Sequence, residues 1–304
     1  MRKLLDNKGI LYGIGAYVLW GFFPIYWKFL HNVPALQVIG HRIGWSFIML
    51  LVYILLTGQW TAFYSEALRW KTIGIYSIAA LLLSFNWLIY VWGVNSGFIV
   101  ETSLGYFINP LFSVVLGVLF LHERLRPAQW IPVGLAAIGV GYLTFVYGRL
   151  PWIALSLAFT FGLYGFVKKL SPLGSLYGLT LETGIVFPIA LIYLAVMEVN
   201  GTGEFLHDGN FVNLLLIGSG LVTIIPLLMF ASAAKQIPLT IVGLLQYIAP
   251  TLQFMIGVFL YREPFDHSHF IGFAIVWVAL INFVVEGYLA NRSSTQPIPE
   301  LGEG

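Results

Sequence analysis

The chain has 304 residues, 59% of them hydrophobic and only 9% charged, with a formal net charge of +2 and a mean hydropathy of +0.87. A soluble domain carries about a quarter charged residues, so this composition excludes a water-solvated globule and reads as an integral membrane protein. Cysteine is absent, which excludes disulfides, thiolate metal sites and cysteine nucleophiles.

A bilayer core about 30 Å thick needs roughly 20 apolar residues per helix. Ten segments meet that length: 9–29, 36–57, 72–94, 99–121 and 128–147, then 150–168, 176–197, 211–233, 237–260 and 269–289. Helix is the economical form, because lipid offers no partner to an unpaired backbone group and the alternation of a membrane barrel is missing. The first run follows Arg2, Lys3 and Lys8 but lacks a small-x-small cleavage site, so it reads as a retained span. Connections are short apart from 58–71 and the Gly-rich, acidic 198–210. The polar stretch 291–304 reads as a disordered tail.

Basic residues set the expected orientation. With the N-terminus inside, eleven fall on the cytoplasmic side: Arg2, Lys3, Lys8, Arg69, Lys71, Arg124, Arg126, Lys168, Lys169, Lys235 and Arg292. Only Lys28, Arg149 and Arg262 fall outside, and Arg42 lies within the membrane. Both termini are therefore expected to be cytoplasmic.

An internal repeat organises the chain. Ser103–Arg124, SLGYFINPLFSVVLGVLFLHER, returns 140 residues later as GLLQYIAPTLQFMIGVFLYREP, Gly243–Pro264. Pro110 answers Pro250, Gly117 answers Gly257 and Glu123 answers Glu263, and the same offset places Lys28 on Lys168 and Gly44 on Gly184. The expected units are 1–147 and 148–290, five helices each. An odd helix count makes two such units enter the membrane in opposite directions. Inverted repeats of this kind characterise secondary transporters, whose site lies near the midplane between repeats.

The motifs WGFFPIYWK (20–28), HRIGWS (41–46), NWLIYVWGVN (86–95), ETSLGYFINPL (101–111) and LQYIAPTL (245–252) carry a resemblance. With the five-plus-five pattern, they make the chain similar to the drug/metabolite transporter superfamily, in its EamA-type branch and the RarD group. The resemblance implies a bacterial inner-membrane permease, in a group named for chloramphenicol sensitivity. It also implies a cavity surrounded by helices one to four and six to nine, with five and ten as outer buttresses.

Ionisable groups inside a bilayer are costly and face a cavity or a partner. His41, Arg42, Asn86 and Glu101 gather at neighbouring levels of the first half. One reading puts Arg42 on the permeation path; the other is a structural Arg42–Glu101 ion pair with His41 toward headgroups. Neighbouring helical residues point about 100° apart, so His41 and Arg42 face different surroundings. Glu182 occupies the repeat position of Arg42, and is expected to meet Lys168 or Lys169. It reads either as a proton-carrying carboxylate or as one arm of a permanent inner pair.

Proline lacks an N–H and frees the carbonyl one turn earlier, so Pro110 and Pro250 are expected to break their helices and expose Tyr106 and Gln246. Tyr106, Asn109, Gln246 and Tyr247 then cluster where backbone groups are unpaired, as binding surface or as hinge. Trp20 and Trp87 suit a flat solute, and Trp92 suits the membrane interface. Glu123 and Glu263 end helices, where a carboxylate opposes the dipole; Arg124, Arg126 and Arg262 are the expected compensation, at gate or turn anchors.

Enzymatic readings find little support. Gly218-Ser219-Gly220 is present, but every His lies near a membrane boundary, and no H-E-x-x-H helix, Walker A loop or dinucleotide fingerprint occurs. The expectation is a carrier of a small organic solute in contact with lipid, without cofactor or nucleic acid. Proton coupling and oligomeric state stay open, and a channel of the same fold is the alternative.

Overall fold

The computed structural model describes residues 8–262 except 97 and 149, and 270–286 except 273, 276, 280 and 284; the side chains of 94, 95, 99, 100, 103 and 147 are also excluded. Glu263 and the polar tail lie outside the described residues. The elements are α1 (Lys8–Gly21), α2 (Phe23–Lys28), α3 (Ala35–Leu56), α4 (Trp60–Ala67), α5 (Trp70–Asn95) and α6 (Ile99–Phe120). They continue with α7 (Trp130–Tyr147), α8 (Trp152–Leu170), α9 (Ser175–Val199), α10 (Asn210–Gln236), α11 (Leu239–Gln246) and α12 (Ile248–Met255), followed by a π-helical turn Ile256–Leu260. A further apolar helix, α13, covers Phe270–Phe283.

Among the described residues, eight helical spans are long and apolar enough to cross a membrane, and two apolar helices, Leu104–Phe120 and Phe270–Phe283, are shorter. No strand occurs among the described residues. Two expected segments gain detail and one expectation needs correction. The 58–71 connection holds α4. The first span divides at Phe22, because Pro24 has no N–H to offer the carbonyl of Trp20; Gln253 Nε2 donates to that carbonyl instead, at 3.1 Å. The expected break at Pro110 does not occur: α6 runs through it, while the corresponding span in the second half divides at Tyr247 into α11 and α12.

Packing is pairwise and reciprocal. The first span packs on α10 and α12, α3 on α9 and α10, α5 on α8 and α9, and α6 on α8 and α11. Close approach is enabled where a side chain is absent. A Cβ on Gly243 would lie 2.7 Å from the carbonyl oxygen of Pro110, and one on Gly220 would lie 2.9 Å from the backbone of Trp45. The α6–α11 and α3–α10 crossings therefore need glycine at those points.

The two spans that carry the repeated motif share one backbone feature at their ends. His122 and Arg262 both take left-handed backbone, at φ 52° and 54°, an uncommon conformation for residues with side chains. After the first turn, Glu123 Oε1 and Oε2 accept from the backbone N–H groups of Leu239 and Thr240, at 2.7 and 2.9 Å. The free N–H groups and dipole of a helix N-terminus make an anion site, and Lys169 adds a cation at 3.7 Å. This corrects the expected compensation by Arg124 and Arg126: Arg126 pairs with Glu286 at 3.1 Å.

Candidate functional site

Between the packed spans lies a cavity of about 300 Å³, at the lower end of the range for small-molecule sites. Its walls are helical stripes with i, i+3, i+4 spacing, the spacing that brings residues onto one face. Tyr17, Trp20, Pro24 and Trp27 form the stripe from the first span, and Leu83, Asn86, Trp87 and Tyr90 that from α5. Thr102, Gly105, Tyr106 and Asn109 come from α6; Gln246, Ala249, Pro250 and Gln253 come from α11 and α12. Phe23 on α2, Arg42 on α3, Leu157 and Phe161 on α8 and Leu227 on α10 complete it. The expected ring of eight spans loses one member: α9 contributes no wall residue among those described, because it packs on α3 and α5.

Arg42 is the cationic wall. Its Nε donates to Thr223 Oγ1 at 2.9 Å, and its Cζ lies over the rings of Trp87 and Trp27, at 4.4 and 4.8 Å from their centroids. Indole faces attract a guanidinium electrostatically. No carboxylate among the described residues lies within 4.0 Å of it. The Arg42–Glu101 pair is thus absent. Glu101 is buried at 1% exposure and its Oε1 accepts from the backbone N–H of Ile153 at 2.7 Å, holding the N-terminus of α8. That turn has unpaired N–H groups of its own to satisfy, and it takes the carboxylate.

Other expected site residues divide between the cavity and its frame. Asn86 Nδ2 donates to Leu157 O and Thr160 Oγ1, both at 2.9 Å, tying α5 to α8 at the cavity edge. His41 is buried on the far side of α3, 5.1 Å from the Phe205 ring; its neighbour Gln37 clamps the same connection through Thr202 O and Glu204 N. Tyr247 is fully buried away from the wall, with its hydroxyl donating to Phe107 O at 3.1 Å. Pro110 lies under the α6–α11 crossing rather than on the wall. Tyr17 Oη and Asn109 Oδ1, on two wall residues, are buried without a hydrogen-bond partner among the described residues. The sequence reading missed Tyr17, Trp27, Tyr90, Phe161, Gln253 and Thr223.

A family model described as the EamA-like transporter family matches residues 7–145. The chain is 45% identical over 299 residues to the transporter YojE of Bacillus subtilis (strain 168), covering 97% of this chain and 99% of that protein. Protein RarD of Streptomyces exfoliatus is 44% identical, with 95% and 92% coverage, and protein RarD of Escherichia coli (strain K12) is 39% identical, with 95% and 98%. The chain belongs to the EamA-like transporter family, with the RarD proteins. It is a multi-pass protein of the bacterial inner membrane and a membrane transporter of small molecules. A solved crystal structure shares the fold, with a TM-score of 0.69 at 17% identity, covering 92% of this chain and 98% of that one.

In this family member the cavity ends on an aromatic floor. Trp20 contacts Phe161 and Phe230 at 5.9 and 5.6 Å, and Tyr164 stacks on Phe230 at 5.8 Å. Beneath it Tyr164 Oη donates to Glu182 Oε2 at 3.1 Å, and Lys168 Nζ donates to Glu182 Oε1 at 2.7 Å. Lys168 and Glu182 are buried, at 1% and 2% side-chain exposure. Lys235 Nζ donates to the carbonyls of Ser171 and Leu173, and Lys169 Nζ to that of Ile237 at 2.7 Å. Three spans, α8, α9 and α10, and the connections after α8 and α10 are thereby joined through charged hydrogen bonds, which are stronger than neutral ones.

Proposed function

We propose that the chain is a ten-span carrier of two inverted five-helix repeats, 1–147 and 148–290, which moves a small organic solute by alternating access. The helix pairings support the repeat. Exchanging the halves turns the first span on α12 into α8 on α6, and the first span on α10 into α8 on α5. It turns α3 on α10 into α9 on α5, and maps the α3–α9 and α6–α11 pairs onto themselves.

One observation carries the mechanism: a frame that pairs symmetrically holds an asymmetric interior. The cavity occupies the half near the C-terminal ends of the first span and α5, while buried charge and aromatic rings fill the other half. Alternation requires such a state, because exchanging the roles of two equivalent halves moves the opening to the opposite face. Basic residues assign the sealed half to the cytoplasm, so this state faces the periplasm.

The channel reading loses ground to the aromatic rings packed beneath the cavity. A serine-hydrolase reading loses ground as well. Ser219 is fully buried and its hydroxyl donates to Leu216 O at 2.5 Å, with no histidine beside it among the described residues. Counterflow in proteoliposomes tests the carrier, using a panel of labelled small organic solutes, charged and neutral. Saturable entry that is accelerated by unlabelled solute inside the vesicles is expected. Flux that never saturates and ignores the internal load would establish a channel instead.

A further inference from the structure

We propose, building on the carrier reading, that the cavity receives a small aromatic monoanion that bears a hydrogen-bond donor at the end away from its charge. The anion follows from Arg42. A buried guanidinium normally finds a carboxylate, yet here Nε is spent on a neutral hydroxyl and no acid lies within salt-bridge range among the described residues. Among the described residues no hydrogen bond reaches its terminal nitrogens, and the residue stands partly exposed on the cavity wall. Those N–H groups are the donors left for a ligand, and their planar fork matches a carboxylate bidentately.

The aromatic class follows from the wall. Trp20, Trp27, Trp87 and Phe161 present flat apolar surface around a volume of about 300 Å³, which suits one small ring system rather than a chain or a peptide. The donor follows from Asn109. Its Oδ1 can only accept, it is buried, and nothing among the described residues donates to it. Tyr17 Oη, equally unpartnered on the same wall, can donate or accept. Buried polar atoms are rarely left unpaired, and here two of them belong to residues that line the cavity. A hydroxyl or amino group on the ring would satisfy Asn109 while the carboxylate meets Arg42.

Intrinsic tryptophan fluorescence of the purified full chain in detergent provides the test, with 4-hydroxybenzoate, benzoate and the neutral 4-hydroxybenzamide as probes. Saturable quenching is expected for 4-hydroxybenzoate, with at least tenfold weaker binding of the amide and intermediate binding of benzoate. Arg42→Lys, melting cooperatively, should lose at least tenfold for both carboxylates, whereas Asn109→Leu should abolish only the preference for 4-hydroxybenzoate over benzoate. Equal binding of the amide, unchanged binding by a folded Arg42→Lys, or no binding of any carboxylate by a folded parent chain would overturn the proposal. Because binding is read without transport, a chain that binds these anions but shows no counterflow upholds this inference and rejects the carrier. Counterflow of neutral solutes alone does the reverse.

Discussion

The hydroxyl of Tyr247 donates to the carbonyl of Phe107 at 3.1 Å, and the two residues stand 140 positions apart, the offset of the internal repeat. A second pair with the same separation, Phe47 and Phe187, brings its rings to 4.8 Å. Around that pair the fit is reciprocal: a Cβ on Gly184 would meet the Phe47 ring, and one on Gly44 the Phe187 ring. Equivalent residues that touch each other mark a self-complementary contact, as at a twofold axis. Two such contacts, on α6–α11 and on α3–α9, support the halves turning about one line.

Close crossings on that frame predict opposite effects for two glycines. Gly220→Ala should destabilise by about 1–3 kcal/mol, as overpacking does, because the new methyl meets the backbone of Trp45 and Ser46. Gly141→Ala, with nothing within 4 Å, should instead raise stability by up to about 1 kcal/mol through helix propensity. Thermal melts of the two variants in the same detergent measure both signs.

The buried pair beneath the floor predicts a non-additive series. Lys168→Met and Glu182→Gln should each destabilise, the first by about 3–5 kcal/mol, since removing one partner leaves the other buried and unpaired. The double variant should recover most of that loss. Additive losses in a double-mutant cycle would show that the two groups do not interact.

Arg42 and Glu101 should behave in the contrary way. Glu101 holds the Ile153 N–H and Arg42 the Thr223 hydroxyl, and no carboxylate among the described residues lies within 4.0 Å of Arg42, so Arg42→Gln and Glu101→Gln act on different contacts. Their effects on melting should add within about 0.5 kcal/mol. A double variant more stable than the sum would restore the direct ion pair.

These contrasts show where the sequence is legible. Pro110 with Pro250 and Glu123 with Glu263 expose the repeat, because proline and charge are rare enough in an apolar chain for one offset to stand out. Arg42, Asn86, Trp87, Tyr106 and Asn109 could be singled out for the same reason, and the cavity wall holds all five. Rotation about each helix axis is what remains hidden. A membrane span is apolar toward lipid and toward its neighbours alike, so no polar face fixes its phase. Tyr247 and Gln246 are therefore indistinguishable by pattern, yet one bonds to Phe107 and the other lines the cavity. Glu101 deceived for a different reason. It accepts from a backbone N–H, a group that every residue but proline carries.

Outside the membrane, His207 predicts a pH effect. The Glu198 carboxylate, 2.6 Å away, raises its pKa above the usual histidine value. A raised folded pKa means that the contact stabilises fully below about pH 6.5, the unfolded value, and that this contribution fades as pH rises through the higher folded value. The melting difference between the parent and His207→Asn should therefore be largest in acid and vanish in mild alkali. Both groups are largely exposed, so the effect should be small.

The exchange of openings between the two faces is tested most directly by cysteine accessibility, since the native chain has no cysteine. Ala249→Cys reports on the cavity wall, and Ser232→Cys, whose parent hydroxyl lies 2.8 Å from that of Ser175, reports on the sealed half. The Lys168→Met/Glu182→Gln background removes the charged seal without stranding a charge. In that background, labelling of Ser232→Cys from the cytoplasmic face should rise several-fold while labelling of Ala249→Cys from the periplasmic face falls. A parallel rise at both positions, or no change at either, would contradict alternating access.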